Sequence, residues 1–90
     1  MPDNIIEFLK DFGFEEGVIL GYKGMKRVYK SEGGSFYTHV VVNSKKVYVY
    51  EELSCGGKCN EWEFNVSDYK LSNVNEFESF LDKIYETCRI

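Results

Sequence analysis

Three cysteines and a single histidine are the side chains of this 90-residue sequence whose types and spacing could support metal or redox chemistry. Cys55 and Cys59 bracket Gly56-Gly57-Lys58, a turn short enough to fold two strands back on each other. Cys88 and His39 would complete a Cys₃His set of the kind that holds zinc. The spacing argues against that assignment. Zinc turns commonly place two residues between paired cysteines and add a second pair nearby, whereas Cys88 falls on an apolar helical stripe and His39 in mid-strand. No metal and no cofactor are expected. An odd cysteine count without an export signal also argues against a disulfide framework. A Cys55–Cys59 bridge across the turn stays geometrically open, since cross-strand α-carbons lie ~4.5–5.5 Å apart.

Catalytic machinery is equally thin. Glu15-Glu16 and Glu51-Glu52 are adjacent pairs whose side chains diverge in a strand, so neither makes an acid–base dyad. Gly33-Gly34 and Gly56-Gly57 are accounted for as turns that need positive φ. With one histidine, no phosphate-cradling glycine motif and no nucleophile beside a base, the chain is expected not to be an enzyme.

The remaining chemistry is recognition. Val47-Tyr48-Val49-Tyr50 sets two valines against two tyrosines with period two, so a sheet containing it has a valine face and an aromatic face. By parity, Val28, Phe36, Val40, Val42, Val47, Val49, Leu53, Trp62, Phe64 and Val66 are expected on a helix-covered core face. Arg27, Tyr29, Tyr37, His39, Val41, Tyr48, Tyr50, Glu61 and Glu63 then share the other face, and a one-residue slip in any strand would swap its set. Tyrosine and arginine dominate interface hot spots because they join large area to a polar handle. Tyr29, Tyr37, Tyr48 and Tyr50, with Arg27, Glu61 and Glu63 at the rim, are therefore the candidate partner-binding residues, for a protein partner or a second copy of the chain. The bland alternative is an ordinary wet sheet face, since tyrosine tolerates half-exposure in strands.

Single-stranded nucleic acid also stacks on exposed sheet aromatics. Residues 22–30, Tyr-Lys-Gly-Met-Lys-Arg-Val-Tyr-Lys, are the stretch that invites this. Strand alternation sends Lys26 and Arg27 to opposite sides, and Glu51, Glu52, Glu61 and Glu63 oppose a phosphate track. A solvated basic edge that discourages edge pairing is the simpler account.

The elements that must position these residues follow from periodicity. Ile5, Phe8, Leu9 and Phe12 recur at helical spacing over residues 4–12, with Asp3 or Asn4 as N-cap and Gly13 as stop. Strand character begins at Val18-Ile19-Leu20, is interrupted by Gly21 and Gly24, and resumes from Met25 to Lys30. A bulge in one long strand is preferred here over a hairpin about Lys23-Gly24. Phe36 to Val42, Lys46 to Leu53 and Glu61 to Val66 are further strands, separated by Glu32-Gly33-Gly34-Ser35, Asn43-Ser44 and the cysteine turn. Val74, Phe77, Phe80, Leu81, Ile84 and Cys88 make a closing helix, with Asn73 as N-cap and Glu76 three residues on. The expected fold is α+β with the order αββββα. A four-stranded antiparallel meander carries the N- and C-terminal helices on one face, in a single domain over residues 1–90.

Composition bounds the partners. Seven Tyr, seven Phe and one Trp let a small domain build a core from few large rings. The net charge of −4 disfavours non-specific binding to nucleic acid or anionic membranes. No apolar run reaches the ~18 residues of a membrane span, and the start lacks a signal-peptide pattern, so a cytoplasmic protein without membrane contact is expected. Together these features point to a small acidic non-catalytic protein-binding module, an inhibitor or modulator of another protein. Viral accessory proteins of the phage host-takeover or anti-defence type, antitoxins and immunity proteins are analogues in size and charge. The alternative is a small zinc-stabilised or single-stranded nucleic-acid-binding module.

Overall fold

The computed structural model of the chain describes residues 1–19, 21–66 and 73–90. Helix α1 (Asp3–Asp11) begins at Pro2, whose carbonyl accepts from the Ile5 and Ile6 amides. The cap is therefore Pro2, not Asp3 or Asn4, and it offers no side-chain acceptor. Gly13 ends the helix as its spacing predicts: with φ +91° it lets the Phe14 amide reach back to the Leu9 carbonyl while its own reaches Lys10. Helix α2 (Val74–Cys88) starts at Asn73, whose side chain accepts from the Asn75 and Glu76 amides at 3.0 and 3.3 Å, as expected for an N-cap.

Between the helices lie β1 (Glu15–Ile19), β2 (Tyr22–Lys30), β3 (Phe36–Val42), β4 (Lys46–Leu53) and β5 (Lys58–Asn65). They form one antiparallel sheet in the order β1-β2-β3-β4-β5. The α+β meander is as expected, but it has five strands, not four. Residues 15–30 are a hairpin, not one bulged strand: Ile19 pairs with Tyr22 and Gly17 with Gly24. Gly21, at φ +82°, supplies the positive φ of a tight reversal, which the sequence places three residues before the alternative turn at Gly24. Gly24 has a different task. A Cβ there would stand 2.7 Å from the Val42 carbonyl oxygen, so glycine allows β2 and β3 to approach closely. Leu20, which the strand expectation included, lies outside the described residues.

Register fixes the faces. Met25 pairs with Val42 and Arg27 with Val40. Val42 pairs with Val47, Val40 with Val49, and then Val47 with Phe64 and Val49 with Trp62. Directly opposed residues project to the same side, so these belong to one face. Ile5 and Leu9 of α1 and Phe77, Phe80, Leu81, Ile84 and Cys88 of α2 close over it in one apolar cluster. Both helices thus lie on the same side, where the apolar stripes seen in the sequence meet the valine face. Trp62 and Phe64 share that side, as their parity predicts, yet stay half-buried at the margin; the deep centre is valine and Phe77.

Beyond Glu51 the β4–β5 register shifts: Glu51 faces Asn60, but Glu52 faces Lys58. Cys59 is the extra residue of this bulge, so Cys55 and Cys59 are not the cross-strand pair that a short symmetrical turn would make. Among the described residues, no helix is long and apolar enough to cross a membrane.

Candidate partner-binding face

The side of the sheet away from the helices carries Tyr37, His39 and Val41 on β3, Tyr48, Tyr50 and Glu52 on β4, and Glu61 and Glu63 on β5. Their alternation was legible in the sequence, and the register brings them together. His39 and Tyr50 are directly opposed, and their rings stack at 4.4 Å with an interplanar angle of 4°. Tyr48 continues the row, 5.3 Å from Tyr50. The result is three rings in contact across β3 and β4.

A polar cap closes one end of this row. The Lys58 ammonium stands 5.4 Å from both the Tyr48 and the Tyr50 ring centres and donates to the Tyr48 hydroxyl at 3.0 Å. Tyr48 donates to the Glu61 carboxylate, which also pairs with Lys58 at 3.5 Å. The hydrogen bond from Tyr48, with Lys58 second, holds the Glu61 carboxyl below its ordinary pKa. The same Tyr48 contact leads the causes that raise Lys58. Lys46 and Glu63 form a second pair at 3.5 Å. Beneath this cover Val41 and Tyr48 are buried, at 3% and 8% exposure, although no helix among the described residues lies on them.

His39 is the unusual member. It is buried at 9% exposure, and neither ring nitrogen has a hydrogen-bond partner among the described residues. Glu52 stands 3.5 Å from Nε2, close enough to interact electrostatically but not bonded. Burial first, and Lys26 second, lower its pKa against the opposing pull of Glu52. In this conformation both ring nitrogens are shut off from solvent, so the imidazole presents neither of them at the surface. Burial also raises the Tyr50 hydroxyl, with Glu52 the next cause.

Arg27 and Tyr29 are not on this face. The expected β2 parity is reversed, and it is Val28, with Tyr22, Lys26 and Lys30, that points away from the helices. Two contacts on the helix side account for the reversal. Arg27 donates to the Phe12 carbonyl at the C-terminus of α1, with its guanidinium 4.4 Å from the Tyr29 ring centre and 5.2 Å from that of Phe12. A cation there meets both the negative end of the helix and two ring faces. Tyr29 donates to the Tyr85 hydroxyl of α2 at 2.8 Å, and burial with that bond pushes the Tyr85 pKa well up. The exposed apolar groups of the open face among the described residues are consequently Val28, which sequence reasoning placed in the core, and Tyr22, which it assigned to neither face, at 45% and 56% exposure. A hairpin ending at Gly21 is the signal that sets them in step with Lys26. Lys58 was missed as well, since only the bulge at Cys59 turns it onto this face.

The cysteines do not gather. Cys55 and Cys59 are exposed free thiols and Cys88 is buried, its pKa pushed up to about 11 by burial, then by Glu51. Among the described residues, no group of three or more His, Cys, Asp or Glu side chains could hold a metal ion. Compared with protein-family models, curated proteins and solved structures, the chain shows no match to any.

Proposed function

We propose that this chain is a non-catalytic protein-binding module that inhibits or modulates its partner by docking through the open face of the sheet. The observation that carries the reading is the composition of that face. A stacked His39–Tyr50–Tyr48 row lies beside exposed Val28 and Tyr22, with no helix among the described residues to cover it. Around this apolar centre stand Lys26, Lys30, Glu52, Lys58, Glu61 and Glu63, a rim of both signs. An apolar, aromatic centre within a charged rim is the usual anatomy of a protein interface. The split of the basic stretch between two faces works against a phosphate track.

The test uses Val28→Asp and Tyr50→Ala beside the wild-type chain in affinity capture from the source cells. Val28 is exposed, so Val28→Asp is expected to keep the circular-dichroism spectrum and lose the captured partner. Tyr50→Ala should weaken capture by roughly thirtyfold, as for a hot-spot tyrosine worth about 2 kcal/mol. Folded variants that retain every partner would move the binding site off this face.

A further inference from the structure

The two edges of the sheet are not alike. β5 carries Lys58, Glu61 and Glu63, and its bulge at Cys59 breaks its regularity, devices that discourage another strand from adding to it. β1, Glu-Glu-Gly-Val-Ile, has no bulge, no proline and no lysine, and its Val18 is 73% exposed. Strand alternation shows which of its backbone groups are free. Ser31 is hydrogen-bonded to Phe36 through its amide, so the odd-numbered residues of β2 turn towards β3 and the even-numbered ones towards β1. Tyr22, Gly24 and Lys26 therefore bond to Ile19, Gly17 and Glu15. Glu16 and Val18 direct their N–H and C=O groups outward, where no described backbone group meets them.

A hollow flanks this edge on each face. On the helix side, about 540 Å³ is lined by Met1, Ile6, Val18 and Met25, among others. On the open side, about 740 Å³ runs from Gly17 and Ile19 past Val28 to Tyr50. Gly17, which lines the open-side hollow, places no side chain there, and neither does Gly24 opposite it in the sheet. An added strand sends successive side chains to alternate faces, so an edge with a hollow on either side can both hold its backbone and select its side chains.

We propose that the outer edge of β1 captures an extended segment of a partner protein by strand addition, with the pattern apolar–apolar–aromatic–basic–basic. Antiparallel pairing, which continues the sheet, fixes the order. The first residue lies opposite Ile19 and the second opposite Val18, facing the helix-side hollow. The aromatic third residue covers Gly17, as aromatic side chains do across from strand glycines. The two basic residues then meet Glu16 and Glu15. Glu15 has no ion-pair partner among the described residues, while Glu16 shares Lys10 at 3.5 Å. A second copy of β1 fits poorly. Antiparallel self-pairing about Gly17 would set Glu16 against Val18 and Glu15 against Ile19, and parallel self-pairing would set carboxylate beside carboxylate. The site goes beyond the open-face reading and stands or falls separately from it.

The test is a titration of isotope-labelled protein with a synthetic ten-residue peptide whose centre is Val-Ile-Phe-Lys-Arg, followed by amide shifts and hydrogen exchange. The expected result is slowed exchange at Glu16 and Val18, with the largest shifts confined to residues 15–19. Val18→Pro removes an outward N–H without touching a bond to β2, so it should stay folded and no longer bind. Replacing the peptide's Lys-Arg by Glu-Glu should weaken binding about tenfold or more, and Glu15→Lys should narrow that difference. Absence of binding by the first peptide at millimolar concentration would overturn the proposal. So would shifts spread over the open face without protection at Glu16 and Val18, or binding by folded Val18→Pro equal to wild type. Tyr37→Ala, on the open face but outside both hollows, should bind this peptide as wild type does, which separates failure of the edge from failure of the open face.

Discussion

Val49 and Tyr48 are neighbours on β4, both are buried, and different things bury them. Val49 lies under the side chains of two helices, in a cluster that holds Phe77, Leu81 and Ile84. Among the described residues, Tyr48 is covered by its own sheet: the Tyr50 ring on one side, and Lys58 and Glu61 over its hydroxyl. The first kind of burial needs elements distant in the chain to assemble and is lost only when they separate. The second depends on flexible charged side chains that can swing aside while the backbone stays in place. A partner could therefore replace the polar cap over the rings without unfolding anything. The helix-covered face ties distant elements together, whereas the cover of the open face is local to the sheet.

That contrast can be broken most directly by truncating the centre of the covered face. Phe77 is fully buried and touches the rings of both Phe8 and Phe80. Phe77→Ala is expected to cost about 3–5 kcal/mol, a third or more of the stability of an ordinary domain this size. Urea unfolding followed by Trp62 fluorescence measures it. A loss below about 1 kcal/mol would mean that the helices do not hold the sheet as the cluster implies.

The next effect separates ring from hydroxyl on the open face. Tyr48→Ala removes a buried ring and should cost about 2–3 kcal/mol. Tyr48→Phe keeps the ring and leaves Lys58 and Glu61 paired with each other, so it should cost less than about 1 kcal/mol. The burial of Tyr48 also changes how the aromatic face should be probed. Tyr48 is buried, so it cannot be removed together with Tyr50 without loss of stability, and Tyr50 must be tested singly. Equal losses for the two Tyr48 variants would show that the polar cap, not the ring, carries the stabilisation.

Arg27 tests the comparison from the other side, as a charge on the covered face. Arg27→Met preserves the aliphatic stem and deletes the guanidinium that bonds to the Phe12 carbonyl and lies over Tyr29 and Phe12. A loss of about 1–2 kcal/mol is expected, shrinking with added salt only in its helix-dipole part. Replacement without loss, judged by thermal unfolding, would return Arg27 to the surface role its sequence position suggests.

The misplacement of Arg27 and Tyr29 shows where sequence reasoning stops. In β4 the valines recur at one parity, and in β3 Phe36, Val40 and Val42 share one although Val41 does not, so the core face was legible, and with it Tyr37, Tyr48 and Tyr50. The β2 segment has apolar groups at both parities: Met25 and Tyr29 at one, Tyr22 and Val28 at the other. Its faces are decided by partners far along the chain, Phe12 and Tyr85, and by a reversal at Gly21 that local pattern could not distinguish from a bulge. The two helices, their C- and N-terminal stops at Gly13 and Asn73, and the aromatic row were readable because each rests on spacing within one element. The Lys58 cap was not, because it rests on a one-residue bulge.

The smallest expected effect concerns His39, which shares the uncovered face with Tyr48 but lacks its polar partners. Burial and Lys26 lower its pKa below the 6.5 of a free imidazole, with Glu52 only partly opposing them. In the unfolded chain the ring takes up a proton as the pH falls through about 6.5, while in the folded chain it stays neutral to lower pH. Between those two points the unfolded state binds more protons, so stability rises with pH and is progressively lost on acidification. The loss starts near pH 6.5 and levels off below the folded pKa. Glu61, whose pKa is lowered from the ordinary 4.5, adds its own loss only at more acid pH, so the two windows are distinct. His39→Phe keeps a ring stacked on Tyr50 and removes the titrating group. Urea unfolding at pH 7.5 and 5.0 should therefore show a drop in stability for the wild type that the variant lacks. A variant with the same drop would place the acid sensitivity elsewhere. A wild type more stable at pH 5.0 would mean that Glu52 outweighs burial, and that the imidazole is held charged on the open face.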